Sequence, residues 1–183
     1  GDSGIKFSKD GIEFTPGNDK EDPYSENTWI QGKYTNNSLI SGENSSGYAY
    51  AIRIENLELD NNFSFINNGA ILGKGPSYTY GIFLKDISGN SSILENNGLI
   101  SVESTNGYAY GISGEHINIE TLKNNGLILS FGKNIVCGIM IKGRNPVIVT
   151  LENNGLILTN FTGIYYAATT SSIKTLTNNG SIL

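Results

Sequence analysis

The chain has 183 residues, with 12 Lys and Arg against 17 Asp and Glu, and its net charge of -5 leaves no basic stripe to neutralise nucleic-acid phosphates or grip an anionic membrane surface. Hydrophobic residues make up 38% and charged residues only 16%, while 23 glycines far exceed ordinary usage; this balance suits a β-rich extracellular protein better than a helical cytosolic enzyme. The lone Cys137 excludes an internal disulfide, and no apolar run approaches the roughly 18 residues that a membrane-spanning helix needs.

In chain order, Gly1–Gly4 reads GDSG, the tetrapeptide around the nucleophile of chymotrypsin-like proteases. No preceding barrel supplies a base and an acid, and the only histidine, His116, lies far along the chain, so Ser3 reads as a chance match. No signal-peptide h-region is visible, which makes the chain read as a piece of something longer. Ile5-Lys6-Phe7 and Ile12-Glu13-Phe14 flank Lys9-Asp10-Gly11, the pattern of a β-hairpin with a tight turn. An acidic, proline-bearing loop, TPGNDKEDPYSEN, then leads to Trp29-Ile30. Residues 1–28 are therefore expected to cap whatever follows, hiding a strand edge from further pairing.

From there on the chain repeats. LENNGLI occurs at Leu94–Ile100 and again at Leu151–Ile157, with looser copies elsewhere, so that the first Asn of each pair falls at Asn36, Asn67, Asn96, Asn124, Asn153 and Asn178. A second marker alternates with it: YAYAI at Tyr48–Ile52, YTYGI at Tyr78–Ile82, YAYGI at Tyr108–Ile112, IVCGI at Ile135–Ile139 and FTGI at Phe161–Ile164. One unit of about 28 residues carries both markers, a period that belongs to solenoids and arrays. Its glycines and β-branched residues exclude a helical repeat, and it is too short for a four-stranded propeller blade. The expectation is an all-β parallel β-helix over residues 29–183, with three short strands per coil and coils stacked about 4.8 Å apart. Because NNGSIL stops midway through a unit, the array is expected to continue beyond this chain.

Two-residue periodicity assigns the faces. The isoleucine two places after each corner glycine (Ser38 in the first copy) is invariant, from Ile40 to Ile182, and is expected to point inward. Tyr34, Phe65, Leu94, Leu122, Leu151 and Leu176 form a second inward column. The first Asn of each pair shares that parity, so its amide should stack on those above and below as a buried ladder. The second Asn and the Gly are expected to supply the positive φ of a tight corner. In the tyrosine strand, Tyr50, Tyr80, Tyr110 and Cys137 share parity with the inward Ile52, Ile82, Ile112 and Ile139 and read as core. Outward parity then falls on the small residues Ala49, Ala51, Thr79, Gly81, Ala109 and Gly111, a flat face for close approach of another chain, and on Arg53, Phe83 and Met140.

Motifs for chemistry are sparse. His116 alone cannot build a zinc site, the carboxylates form no column of the kind a β-helical glycosidase uses, and neither a calcium-binding nonapeptide nor a phosphate-binding glycine loop is present, so no metal or cofactor is expected. Tyr48, Tyr78 and Tyr108, which open the tyrosine strand at equivalent positions, read either as a stiffening ladder or, with Arg53 and Phe83, as an outward binding stripe.

The alternation of LxNNGxI with YAYGI over residues 34–183 resembles the passenger repeats of large autotransporter adhesins from fusobacteria and related anaerobes. The resemblance implies a β-helical passenger exported through the outer membrane and displayed on the bacterial cell surface as a virulence factor. It also implies adhesion to a host cell-surface protein or glycan receptor, or to other bacteria, without catalytic residues. It leaves open a monomer or a homotrimer. A structural stalk holding a distal binding domain away from the cell, and a carbohydrate-active β-helix enzyme, are the competing readings.

Overall fold

The structure, a computed structural model, describes residues 4–8, 11–15, 28–30, 33–58, 64–88, 92–144, 146–168 and 172–183. Those residues form a β-solenoid with parallel in-register strands and no helix. Each turn presents three faces. The isoleucine face is a six-stranded parallel sheet made of Leu39–Glu43, Ala70–Gly75, Leu99–Ser104, Leu127–Phe131, Leu156–Thr159 and Ser181–Ile182. The tyrosine face holds Ala49–Glu58, Thr79–Ser88, the first part of Ala109–Asn124, Val136–Gly143 and Thr162–Ala168. The leucine face holds Lys33–Asn36, Ser64–Asn67, Ile93–Asn96, the end of Ala109–Asn124, Val147–Asn153 and Ser172–Asn178. About five turns separate the six rungs.

At the N-terminal end, Gly4–Ser8 pairs antiparallel with Gly11–Thr15 and runs parallel to the first tyrosine strand, with Ile5 beside Ile52 and Phe7 beside Ile54. Thr28–Ile30 folds back antiparallel on Lys33–Asn36, placing Trp29 beside Tyr34. Ser3 and most of the acidic loop lie outside the described residues.

Register is strict because like stacks on like. Ile71, Ile100, Ile128 and Ile157 are aligned and fully buried, as are Phe65, Leu94, Leu122 and Leu151 to within a few per cent. In the last turn Leu176 and Ile182 keep these columns but are exposed, since nothing stacks below them in this chain. Unequal repeat lengths are absorbed in the links. Phe131 and Val136 bound one link between the isoleucine and tyrosine strands, whereas in the next turn it shrinks to the step from Thr159 to Thr162.

The asparagines do what their parity requires. Asn36 Nδ2 donates to Asn67 Oδ1 at 2.7 Å, and Asn67, Asn96, Asn124 and Asn153 each donate to the next rung at 2.8 Å, ending on Asn178. The first five are at most 2% exposed. Each amide also reaches a carbonyl of its own corner and one of the next turn, as Asn67 does with Gly69 O and Leu99 O. Beside this ladder the second asparagines form an exposed one of opposite sense: Asn68 donates back to Asn37, Asn97 to Asn68, Asn125 to Asn97, Asn154 to Asn125 and Asn179 to Asn154.

The corner glycines are needed for a different reason from the one sequence suggests. Neither they nor the second asparagines have positive φ. Instead, a Cβ on Gly98, Gly126, Gly155 or Gly180 would fall closer than 3.0 Å to the glycine carbonyl of the corner above, because stacked corners lie against one another through bare backbone. The same geometry explains the worn copy TNNSLI: no described corner lies above Ser38, so a side chain fits. Left-handed backbone occurs instead at the corner between the tyrosine and leucine faces, at Asp86 (φ 53°), His116 (φ 53°) and Gly143 (φ 111°). Asp, His and Gly are residue types that tolerate this region. His116 is thus a corner residue, and its Nδ1 accepts the Arg144 N–H at 2.7 Å.

Tyrosine-strand parity requires a second correction. Ala49, Thr79 and Ala109 are fully buried, and a Cβ on Gly81 or Gly111 would touch the Ile100 or Ile128 side chain, so this small-residue column lines the interior. The following residues, Ile52, Ile82 and Ile112, also belong to the interior core, while pairing skips Ala51, Gly81 and Gly111. Two consecutive residues face inward at this kink, and the alternation slips by one. Tyr50, Tyr80, Tyr110 and Cys137 consequently stand on the outer side of the sheet, in a hydrophobic cluster separate from the interior one. The expected flat face of small residues does not exist.

Two substitutions test these corners by chemical unfolding. Gly126→Ala should cost about 1–3 kcal/mol, the cost of overpacking, because backbone must move, whereas Ser38→Gly should change stability by less than about 1 kcal/mol. Asn96→Ala removes the donor to Asn124 Oδ1 and leaves Asn67 Nδ2 with only the Gly69 and Leu99 carbonyls, and should cost about 1–3 kcal/mol. Asn97→Ala in the exposed ladder should cost about 0.5 kcal/mol or less.

Candidate functional site: an aromatic ridge on the outer face

Parallel stacking at a fixed spacing forces identical side chains into contact, and on the tyrosine face this produces two aromatic columns side by side. Tyr48, Tyr78 and Tyr108 form one, with ring centroids 4.7 and 4.3 Å apart. Tyr50, Tyr80 and Tyr110 form the other, at 4.9 and 5.3 Å, and Cys137 continues it in the next turn. Phe83 sets its edge against Tyr50 and Tyr80 at 5.3 and 4.9 Å. Its own column runs from Arg53 through Phe83, Ser113 and Met140 to Tyr165.

The ridge has a graded exposure. Tyr50, Tyr80, Tyr110, Phe83 and Met140 shield one another and are nearly buried, in a cluster separate from the interior core. Tyr48 and Tyr165 are 46% and 48% exposed. Arg53 lies with its guanidinium 4.8 Å from the Tyr50 ring centroid, a cation–π arrangement, and its Nε is held by Glu55 Oε1 at 2.8 Å.

Every residue that sequence singled out for binding, Tyr48, Tyr78, Tyr108, Arg53 and Phe83, falls in this one patch. Sequence reasoning missed Tyr50, Tyr80, Tyr110 and Cys137 as members. The available signal was the Ala or Gly that follows each of them: a residue so small fits an interior position pressed against the opposite sheet. Burial raises the hydroxyl pKa of Tyr80 and Tyr110 above the ordinary 10.0, and neighbouring phenols and the Cys137 thiol add to the effect. Burial likewise pushes the Cys137 thiol up to about 11.

Among the described residues no group of three or more His, Cys, Asp or Glu could hold a metal ion. On the isoleucine face, Glu43, Lys74 and Glu103 alternate in sign down one column beside an open depression of about 250 Å³.

An asparagine-laddered β-solenoid with an outward aromatic ridge is the class of protein that this geometry defines. No family model, curated protein or solved structure matches the chain.

The buried ridge ties stability to alkaline pH. The unfolded chain releases the Cys137 proton near the ordinary 9.0 and the folded chain only near 11, so the folded state binds more protons between these values. Stability should therefore be at its full value below pH 9.0 and fall as pH rises through 11, with Tyr80 and Tyr110 extending the decline above 10.0. Denaturant midpoints across that range check this; in Cys137→Ala the decline should begin later.

Proposed function

We propose that this chain is a segment of a bacterial cell-surface adhesin, an autotransporter-type passenger exported through the outer membrane, which binds a host or microbial surface receptor and performs no catalysis. The observation that carries the reading is the ridge itself. Tyr48, Tyr78, Tyr108, Phe83, Met140 and Arg53 gather on the outside of a rod whose interior is already filled by a separate core. Aromatic residues, Met and Arg are the types enriched in binding interfaces, and truncation of such anchors is what most weakens complexes. Rigid stacking holds them without the entropy cost of ordering a loop. The repeat resemblance supports the cell-surface setting.

One observation favours a structural stalk as the second reading. The tyrosine rings spend much of their faces on each other, with Tyr50 and Tyr80 only 5° from parallel, as a stiffening element would. A binding screen of the purified chain against host ectodomains and surface glycans separates the two. The adhesin reading expects saturable binding, weakened roughly tenfold or more by Tyr48→Ala combined with Arg53→Ala, an exposed and a half-buried position on the outer surface, with circular dichroism checking that the double variant keeps the fold. Binding by no receptor favours the stalk, and equal binding by the double variant removes the ridge as the contact. Light scattering on the same sample gives monomer or trimer.

A further inference from the structure

We propose that Asn106 is a spontaneous modification site, and that the stacked corners protect the other asparagines of the same type. An Asn-Gly pair is chemically fragile because glycine leaves its backbone nitrogen sterically open. The nitrogen of Gly, on losing its proton to solvent, bonds to the Asn Cγ, and the side-chain nitrogen leaves as ammonia. The resulting five-membered succinimide is opened by water to aspartate or isoaspartate, with no change of oxidation state. The chain carries Asn-Gly at Asn68-Gly69, Asn97-Gly98, Asn106-Gly107, Asn125-Gly126, Asn154-Gly155 and Asn179-Gly180.

Five of these are the repeat corners, where both reacting groups are held. The glycine N–H donates to an asparagine carbonyl of the turn above, at 3.1 Å for Gly69, Gly98, Gly126 and Gly180 and 3.2 Å for Gly155. The side chain is a rung of the exposed ladder, so swinging its Cγ toward the glycine nitrogen breaks bonds to the rungs on both sides, or, for the last rung Asn179, the bond to Asn154 at 2.9 Å. Glu95 and Glu152 each accept a further hydrogen bond from Asn125 and Asn154.

Asn106 sits instead in the link between the isoleucine and tyrosine strands, outside both ladders. Its exposed side chain is held by one contact, from Lys133 Nζ to Oδ1 at 3.4 Å. That ammonium draws electron density from the amide carbonyl and would sit beside the carboxylate once formed. The Gly107 N–H is buried and donates to the Ser104 hydroxyl at 3.0 Å, so the glycine nitrogen is held here as at the corners. What distinguishes Asn106 is its exposed, nearly unheld side chain and a partner that is a side-chain hydroxyl, removable by one substitution. A negative charge would thus arise two residues from Tyr108, at the margin of the ridge.

Peptide mapping by mass spectrometry of the folded protein, held at mildly alkaline pH, tests the assignment. Asn106 should gain one mass unit at least roughly tenfold faster than any corner asparagine, and in urea all six pairs should react at comparable rates. Asn106→Gln should abolish the signal with the corners still protected, which also reports that the fold is intact. Ser104→Ala, freeing the Gly107 nitrogen, should accelerate the reaction severalfold. Corner asparagines reacting as fast as Asn106 in the folded chain, or Asn106 as slow as they are, would overturn the proposal.

Discussion

The whole molecule depends on one repeated hydrogen bond, the amide-to-amide contact between the first asparagines of successive turns. Placed at a corner where the chain leaves the leucine face, a buried amide without a partner would cost about 1–3 kcal/mol. The same amide on an identical neighbour has its donors and acceptor satisfied at once. A shift of register by one residue would set each buried amide against the outward second asparagine of the next pair or against outward residues such as Glu95, Lys123 and Glu152, so the ladder fixes alignment as well as adding stability. Once rungs align, the isoleucine and leucine columns align with them, and so do the corner backbones that leave no room for a Cβ. Hydrogen bonds in such a chain polarise each other, which makes an interior rung more valuable than the first or last.

Much of this was legible in the letters. The period, the three faces, the inward isoleucine and leucine columns and the buried asparagines all follow from spacing, because stacking translates sequence periodicity into contact. Two things did not follow. Positive φ was assigned to the Asn-Gly corner from residue preference, but glycine serves there as a missing Cβ, a constraint set by a neighbouring turn that local propensity does not contain. The true left-handed corner is written as Asp86, His116 and Gly143, which share no letter and are united only by backbone tolerance. The tyrosine strand failed for a related reason. Parity counting assumes unbroken alternation, and the inward pair at Gly81-Ile82 breaks it, transferring Tyr80 from the core to the outside.

That transfer changes what the outside of the rod is. An interior tyrosine column would have been framework, and the surface above it would have been small and smooth. What stands there is a ridge of rings with Arg53 at one end and Met140 and Tyr165 at the other, a surface whose composition changes from turn to turn while its spacing does not. Recognition by such a surface would be read along the axis, with each turn contributing one residue per column. Tyr48, Tyr78, Tyr108, Arg53 and Phe83, singled out from sequence, lie together on this surface, although the reasoning that placed their neighbours did not hold.

The two asparagine ladders run in opposite senses, the inner one donating toward the C-terminal turns and the outer one toward the N-terminal turns. An α-helix aligns its peptide dipoles and accumulates about half a charge at each end. Here each inner amide dipole is opposed by an outer one at the same corner, so their axial components largely cancel turn by turn. The rod gains no electrical polarity from these side chains as it lengthens. Its stacking energy can therefore grow with the number of turns without a field building at the ends to set a limit, which is the condition under which a repeat can be copied many times.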